Sequence, residues 1–285
     1  MRYFLELAYN GAPFHGWQSQ PNAQSVQSTI ENALSLILRD KVPIVGAGRT
    51  DAGVHARKMY AHFDSTSPIV QSDKFLTSLN SLVGPFIKIK GIAKVSDEAH
   101  ARFDAVKRSY KYFISYSKDP FLNSLFCRLH KPLDLNIMNQ AADFLLEMED
   151  FTSFAKLHSD AKTNICKVTD AKWQKIENDE EAKNFLGTLN GGIVFTITAD
   201  RFLRNMVRAI VGTLIEVGTY KLSIEGFRKI IESKNRCEAG SSIDANGLFL
   251  WDVAYPFDME YIENHPKNES HDRKRGQRKD RESEK

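Results

Sequence analysis

A glycine-rich segment, residues 45–56, contains the side chains whose types and spacing are best suited to chemistry. Arg49 lies two positions before Asp51, and Gly53 lies two positions after it. An arginine this close can keep a carboxylate ionised as a nucleophile or base, and it can also bind a phosphate through two hydrogen bonds. Both roles suit an anionic substrate. The alternative is an Asp–Arg pair that only fixes a tight turn, and spacing alone leaves both interpretations open.

Three familiar kinds of site do not fit this segment. A dinucleotide-binding fingerprint requires a third glycine where Asp51 stands. A phosphate-binding loop that begins at Gly48 requires Lys and Ser or Thr where Val54 and His55 stand. Aspartic proteases and most glycosidases use two cooperating carboxylates, but the next acidic residue, Asp64, lies beyond a predicted strand. The segment therefore offers one carboxylate with an arginine beside it.

The elements that position this segment follow from the spacing of apolar residues. An apolar run at residues 42–45 predicts that a strand ends where the loop begins. Alternation predicts further strands at residues 3–9, 60–65, 86–95, 165–176, 193–198 and 248–250. Helical spacing predicts helices capped by Ser25, Ser72 and Asn136 and a fourth at residues 202–217, with a charged turn or loop at residues 179–183. The mixture predicts an α+β fold.

Basic side chains recur in two places. Residues 97–112 interleave the basic side chains of Arg102, Lys107, Arg108 and Lys111 with the rings of Phe103, Tyr110 and Tyr112. On a strand this pattern predicts charges on one face, to hold phosphates, and rings on the other, to stack on a base. The alternative is a core-facing aromatic stripe with solvated lysines. In the fourth helix, the spacing predicts that Arg201, Arg204 and Arg208 line one side.

Composition narrows the classes of function. The chain of 285 residues has a formal net charge of +3, and residues 266–285 alone account for it. A nucleic-acid-binding protein with a neutral body must concentrate its positive charge on one face. The cysteines have neither disulfide nor zinc spacing; they are Cys127, Cys166 and Cys237. Because no apolar stretch reaches transmembrane length and no signal-peptide pattern follows Met1, we expect a soluble, cytoplasmic protein.

Motifs along nearly the whole chain resemble those of the A-type tRNA pseudouridine synthases, which isomerise uridines in the anticodon stem-loop. The central match is Gly48-Arg49-Thr50-Asp51-Ala52-Gly53-Val54-His55. Others follow in the same order as in that family: Phe14-His15-Gly16-Trp17-Gln18, Ser25-Val26-Gln27, His100-Ala101-Arg102-Phe103, Arg108-Ser109-Tyr110-Lys111-Tyr112, Asp150-Phe151-Thr152-Ser153-Phe154, Met206-Val207-Arg208 and Gly247-Leu248-Phe249-Leu250. The resemblance extends from residue 1 to about residue 256.

The resemblance implies an architecture. We expect two similar sheet-and-helix halves with mainly antiparallel sheets and the active-site cleft between them. Residues 1–105 would form the half that carries the Asp51 loop, and residues 106–258 would form the other half. Residues 259–285 are predicted to be a charged, disordered tail, because apolar side chains become rare there.

The resemblance also implies roles for individual residues. Asp51 corresponds to the catalytic nucleophile or base, and Arg208 would pair with it across the two halves. Tyr110 corresponds to the active-site tyrosine that stacks on the target base. Arg49 would hold the displaced backbone or fill the space that the flipped nucleotide leaves. A final strand would help to wall the pocket through Leu248 and Leu250.

The family further implies tRNA as the partner, with uridines 38, 39 and 40 as substrates, and a homodimer on which one tRNA contacts both subunits. The reaction breaks the N1–C1′ bond and rejoins the ring through C5, so we expect no cofactor and no metal. His62, on a predicted strand, is interpreted as a structural residue and not as a ligand.

Two other classes of protein remain as alternatives. An RNA-binding module without chemistry would share the basic and aromatic strands, but it has no use for an ionised carboxylate in a glycine-rich loop. An aspartate-nucleophile phosphotransferase would need Mg²⁺ ligands in the form of further carboxylates near Asp51, and the sequence near that residue contains none.

Overall fold

The computed structural model describes residues 1–70, 72–156, 162–187 and 191–262. Its strands are β1 (Arg2–Tyr9), β2 (Val45–Gly46), β3 (His55–Asp64), β4 (Ile87–Val95), β5 (Lys107–Ser115), β6 (Cys127–Arg128), β7 (Val168–Lys175), β8 (Ile193–Ala199), β9 (Leu248–Ala254) and β10 (Glu260–Tyr261). Its α-helices are α1 (Val26–Leu38), α2 (Ser72–Leu82), α3 (Leu135–Glu147), α4 (Glu180–Leu186), α5 (Met206–Gly218) and α6 (Ile224–Ser233). The predicted α+β class is confirmed.

The strands form one mixed sheet. Its order is β10-β4-β1-β3-β9-β5-β8-β7, with β2 added to β3 and β6 added to β5. The pairs are antiparallel except for β3 with β9 and β5 with β6. We call β1–β4 with α1 and α2 the N-terminal half, and β5–β9 with α3–α6 the C-terminal half. The sheet runs without a break from one half to the other. The predicted boundary between two separate halves after residue 105 therefore stays a prediction.

The N-terminal half forms where the apolar pattern predicts it. Ser25 caps α1 through a capping box, in which Ser25 Oγ accepts from the backbone N–H of Ser28 and Ser28 Oγ accepts from that of Ser25. Ile30 and Leu34 on α1 are buried in the same apolar core as Leu5 on β1. Helix propensity, capping and burial therefore all favour the same element.

The C-terminal half departs from the sequence prediction at several points. The charged turn expected at residues 179–183 is wrong, because Asp179 caps α4 by accepting from the backbone N–H of Ala182. Asp134, and not Asn136, caps α3. The helix expected from residue 202 begins at Met206, because Asn205 adopts a left-handed conformation with φ 66°. The helix α6 was not predicted, although a Ser223 cap and apolar residues at helical spacing signal it.

The strand β5 only partly follows the prediction of charges on one face and rings on the other. Lys111 is buried, with its Nζ 2.5 Å from Asp179 Oδ2, so this lysine is not available to bind RNA. Arg108 lies on the same face as Tyr110 and Tyr112, because alternate residues of a strand share a face. One face of β5 therefore carries the ion-paired Lys111, and the opposite face carries Arg108, Tyr110 and Tyr112.

The predicted disordered tail, residues 259–285, begins with residues that add a strand to the sheet. The strand β10 lies within residues 259–285 but pairs with the edge strand β4. The ring of Tyr261 lies where a Cβ on Gly91 would stand, so the absence of a side chain at Gly91 makes room for it. Tyr261 Oη also donates to the carboxylate of Glu6. For residues 263–285 the predicted disorder falls outside the described residues.

His62 has the structural role that was predicted for it. Its Nδ1 accepts the backbone N–H of Ala101 at 3.0 Å, and its ring contacts Phe4 and His100. Burial lowers the pKa of His62 to about 4, so the ring stays neutral at neutral pH.

The two halves are joined by the partly buried guanidinium of Arg108. Arg108 Nη1 donates to the carbonyls of Ala105 at 2.7 Å and Asp200 at 2.8 Å. Its Nη2 donates to the carbonyls of Arg102 at 2.6 Å and Ala47 at 3.1 Å. These carbonyls belong to the segment before Asp51, the connection between the halves and the turn before α5. One side chain therefore fixes three separate stretches of backbone.

We predict that Arg108→Lys destabilises the fold by about 2–4 kcal/mol, because a single ammonium group cannot reach four separated carbonyls and leaves some of them unsatisfied. Denaturant unfolding measures this loss. The matched control is Arg102→Lys, the same chemical change at an exposed position, which should alter stability by less than about 0.5 kcal/mol. Equal losses in the two variants would contradict the joining role of Arg108.

Candidate active site

The loop that carries Asp51 is fixed by its own backbone and by its neighbours. Thr50 Oγ1 lies 2.9 Å from Tyr9 Oη, and the carbonyl of Thr50 accepts the backbone N–H of Trp17 at 3.1 Å. The carbonyl of Asp51 accepts the backbone N–H of Val54 at 3.2 Å. The carbonyl groups of Thr50 and Asp51 thus both accept hydrogen bonds from the protein backbone. The carboxylate is therefore held in one place while its side chain remains 25% exposed.

Two glycines make this loop possible. Gly16 has φ +89°, and a Cβ there would stand 2.6 Å from the carbonyl oxygen of Thr50. Gly53 has φ +79°, a conformation that side chains rarely adopt. Gly16 thus allows a second loop to approach the backbone of Asp51, and Gly53 turns the chain into β3.

His55 anchors the end of the loop, a role that the sequence analysis did not assign. Its Nδ1 accepts the backbone N–H of Gly11 at 3.0 Å, so its Nε2 carries the proton and faces the carbonyls of Ser124 at 2.9 Å and Asn246 at 3.1 Å. Burial lowers the pKa of His55, which favours this neutral form. The imidazole therefore ties the loop to both halves. The only signal in the sequence was its position at the end of the glycine-rich segment.

The carboxylate of Asp51 lies between two arginines of the C-terminal half. Arg208 Nη1 lies 3.7 Å from Asp51 Oδ2, and Arg204 Nε lies 3.4 Å from Asp51 Oδ1. Arg208 is on α5, and its Nε also donates to the carbonyl of Ile243 at 2.7 Å. The pairing of Arg208 with Asp51 across the two halves is as expected. The contact of Arg204 with Asp51 was not predicted.

Arg204 reaches Asp51 because α5 begins later than its sequence pattern indicates. The residue lies in the turn before the helix, and its carbonyl accepts the backbone N–H of Lys156 at 3.1 Å. Asn205, in its left-handed conformation, donates from its side chain to Ser242 Oγ at 2.5 Å. Arg201 and Arg204 therefore do not line the helix, and the prediction that they do is wrong.

Tyr110 lies between the two halves. It packs against both the N-terminal and the C-terminal apolar cores, and its ring meets that of Phe202 edge to face at 5.0 Å. Burial raises the pKa of Tyr110 to about 12, Arg108 opposes the rise, and the nearby charge of Asp51 adds to it. The phenol is therefore protonated at neutral pH and can donate a proton or a hydrogen bond.

The other predicted pocket residues occupy different environments. Leu250 lies in the N-terminal core and pairs with both Ala56 and Tyr110 across neighbouring strands. Leu248 lies in the C-terminal core. Both leucines are buried, and their role in the pocket stays a prediction. Arg49 is exposed on the loop, two residues before Asp51.

An open cleft of about 540 Å³ lies in front of Asp51. It is lined by Asp51, Lys156, Asn205, Arg208, Arg236 and Cys237. Three of these side chains are cationic, so a single carboxylate is surrounded by positive charge. Arg236 is held by the carbonyls of Ala239 and Gly240 and by Ser242 Oγ. Such a cleft can receive a polyanion and place one of its groups beside Asp51.

Across the described residues, no three His, Cys, Asp or Glu side chains are grouped so that they could hold a metal ion. Among the described helices, none is long and apolar enough to cross a membrane.

The fold and the site define an α+β protein with one carboxylate held between arginines in an open cationic cleft. A family model described as tRNA pseudouridine synthase matches residues 142–256. The tRNA pseudouridine synthase A of Parabacteroides distasonis is 51% identical over 263 residues, which cover 92% of this chain and 99% of that protein. Proteins of the same name from Bacteroides fragilis and Acetivibrio thermocellus are 52% and 38% identical, and cover 90% and 88% of this chain and 96% and 98% of their own lengths. This chain belongs to the tRNA pseudouridine synthase A family and is an isomerase.

We predict that Gly16→Ala lowers the isomerase rate about a hundredfold, because the new Cβ pushes the backbone of Thr50 and displaces Asp51. The matched control is Gly84→Ala, where φ is also positive at +77° but no atom lies within 4 Å. Both variants should lose about 1 kcal/mol or more of stability through backbone strain. The rate and the free energy of unfolding are measured together, and equal rates in the two variants would contradict the role of Gly16.

Proposed function

We propose that this chain isomerises uridine to pseudouridine at positions 38, 39 and 40 of the tRNA anticodon stem-loop, with Asp51 as the catalytic nucleophile or base. The observation that supports this most strongly is the carboxylate of Asp51, held on a rigid loop between Arg204 and Arg208 in a cationic cleft. Membership of the family supports the substrate class. A tRNA substrate also fits the proposed cytoplasmic location.

The first step is to bring the uridine to Asp51. A base within a stem-loop stack must leave the stack before its sugar and ring can be reached. In this proposal the cleft receives the flipped nucleotide and Tyr110 stacks on its base, while Leu248 and Leu250 support the pocket from behind. Arg49, exposed two residues before Asp51, holds the displaced backbone or fills the vacated space. These roles come from the match to the family motifs, and the positions in the fold are compatible with them.

The chemistry then requires one carboxylate and no added reagent. Asp51 either attacks the sugar or the ring to form a covalent intermediate, or removes a sugar proton to give a glycal. The N1–C1′ bond breaks, the ring turns, a C5–C1′ bond forms, the C5 proton is released to solvent and N1 takes up a proton. Arg208 supplies a fixed positive charge next to the carboxylate throughout. Because the product is an isomer of the substrate, nothing is consumed.

We further propose that the chain acts as a homodimer on which one tRNA contacts both subunits. The family resemblance is the support for this proposal. The neutral body of the chain is compatible with it, because two clefts would offer a long RNA more positive charge than one.

We predict that Asp51→Asn lowers turnover about a thousandfold or more while tRNA binding stays within about threefold of native. The assay is release of tritium from tRNA that carries uridine labelled at C5, with EDTA present. The matched control is Asp252→Asn, which removes another ion-paired aspartate, bound to Lys58, and should leave the rate unchanged. A variant at Asp51 with a tenth of native activity would overturn the assignment.

The same assay separates the alternatives. Tight tRNA binding by the native protein without tritium release would favour an RNA-binding module. Release that EDTA stops would indicate a metal-dependent reaction, which this proposal excludes.

We predict that Arg208→Met lowers the rate about a hundredfold, because it removes a fixed charge beside the reacting carboxylate. Single-turnover kinetics at saturating tRNA measures the effect, and circular dichroism reports the fold. Arg228→Met is the control, since Arg228 lies on α6 in an exposed ion pair with Glu232. An unaltered rate in a folded Arg208→Met protein would remove Arg208 from the site.

A further inference from the structure

The two arginines that contact Asp51 are held very differently. Arg208 is 21% exposed and is fixed at a second point, where its Nε donates to the carbonyl of Ile243. Arg204 is 62% exposed, and among the described residues its side chain reaches only the carboxylate of Asp51. Arg208 is therefore a permanent neighbour of the carboxylate, whereas Arg204 is free to move once another anion is offered.

The arginines also contact different oxygens. Arg208 lies near Oδ2 and Arg204 lies near Oδ1. A carboxylate that acts as a nucleophile or base must present one oxygen to the substrate. Because Arg208 is fixed, Oδ1 is the oxygen that can be uncovered, and Arg204 must leave it. An exposed ion pair contributes little to stability, so this movement meets little resistance.

The cleft indicates where Arg204 would go. Lys156 and Arg236 line the cleft in front of Asp51. An RNA backbone that enters the cleft is therefore attracted towards these two cations. A guanidinium binds phosphate through two parallel hydrogen bonds, and an RNA phosphate is an anion that can compete with Asp51. The backbone of Arg204 is anchored by its hydrogen bond from Lys156, so the side chain alone has to turn.

We propose that Arg204 covers Asp51 when the cleft is empty and exchanges Asp51 for a phosphate of the bound RNA. Oδ1 of Asp51 is then uncovered only when a substrate backbone is in place. Arg204 is a positioning residue for the substrate, and Arg208 remains the fixed partner of the carboxylate. The inference rests on the proposed function for its substrate class, because it requires RNA in this cleft.

The first test compares Arg204→Gln with native protein by measuring the dissociation constant of a tRNA transcript at several salt concentrations. Loss of one phosphate contact should weaken binding about fivefold at 0.1 M salt and reduce the slope of log K against log salt by about 0.7–0.9. Arg204→Lys keeps the charge and should restore the slope. Arg228→Gln, on α6, should change neither quantity.

Single-turnover kinetics separates positioning from catalysis. At saturating tRNA, Arg204→Gln should keep its rate within about threefold of native, whereas Arg208→Met loses about a hundredfold. A loss in Arg204→Gln as large as that in Arg208→Met would overturn the proposal, because Arg204 would then be needed after binding.

A double-mutant cycle tests the exchange itself. In native protein Arg204 must give up Asp51 before it binds phosphate, so part of its contribution to affinity is lost. In Asp51→Asn protein nothing has to be given up, so adding Arg204→Gln should weaken tRNA binding at least twice as much as it does in native protein. Equal effects in the two backgrounds would mean a simple phosphate contact and would overturn the exchange.

These binding measurements need no turnover, so the two proposals can fail separately. A cycle that behaves as expected in a protein that releases no tritium would leave the exchange standing and remove the isomerase assignment. Normal tritium release with an unchanged salt slope in Arg204→Gln would remove the exchange alone.

Discussion

The site depends on a junction between the two halves, because its carboxylate and its positive charges come from different ends of the chain. Asp51 lies on a loop of the N-terminal half, and Arg204 and Arg208 lie in the C-terminal half. The parallel pairing of β3 with β9 brings them together, starting at the pair of His55 with Phe249. The imidazole of His55 and the guanidinium of Arg108 then bridge the halves through backbone carbonyls. Rigidity at this junction is therefore a condition for the chemistry.

The arrangement around Asp51 resolves a conflict between burial and access. A carboxylate that is to react must be free of strong partners on one side, yet an isolated charge in a partly buried site is unfavourable. Two arginines contact the carboxylate: Arg208 is fixed by a second hydrogen bond, and Arg204 is exposed. Arg208, 21% exposed, contacts Oδ2 of Asp51, while Arg204, 62% exposed, contacts Oδ1. The negative charge of Asp51 is thus balanced by arginines while its carboxylate stays accessible to solvent.

The distribution of charge follows the same logic. The body of the chain is neutral outside its last twenty residues, so affinity for a polyanion has to come from local concentration. Lys156, Arg208 and Arg236 supply it at the cleft. The basic and aromatic pattern suggested Lys111 as a surface charge, but its side chain instead forms a buried ion pair with Asp179. Basic residues in this protein therefore divide between the cleft and structural ion pairs according to where they face.

Local sequence patterns were enough to predict elements such as β1 and the capped helix α1, and the glycines and motif of the Asp51 loop were enough to identify it. The partner Arg208 came from the resemblance to a family. Only the tertiary structure decided that Arg204 contacts Asp51 and that His55 bridges the halves, because these contacts join residues up to 191 positions apart. The helix α5 starts after Asn205, which is left-handed and donates a side-chain hydrogen bond to the distant Ser242. Local periodicity cannot encode such contacts, since they exist only after distant strands have paired.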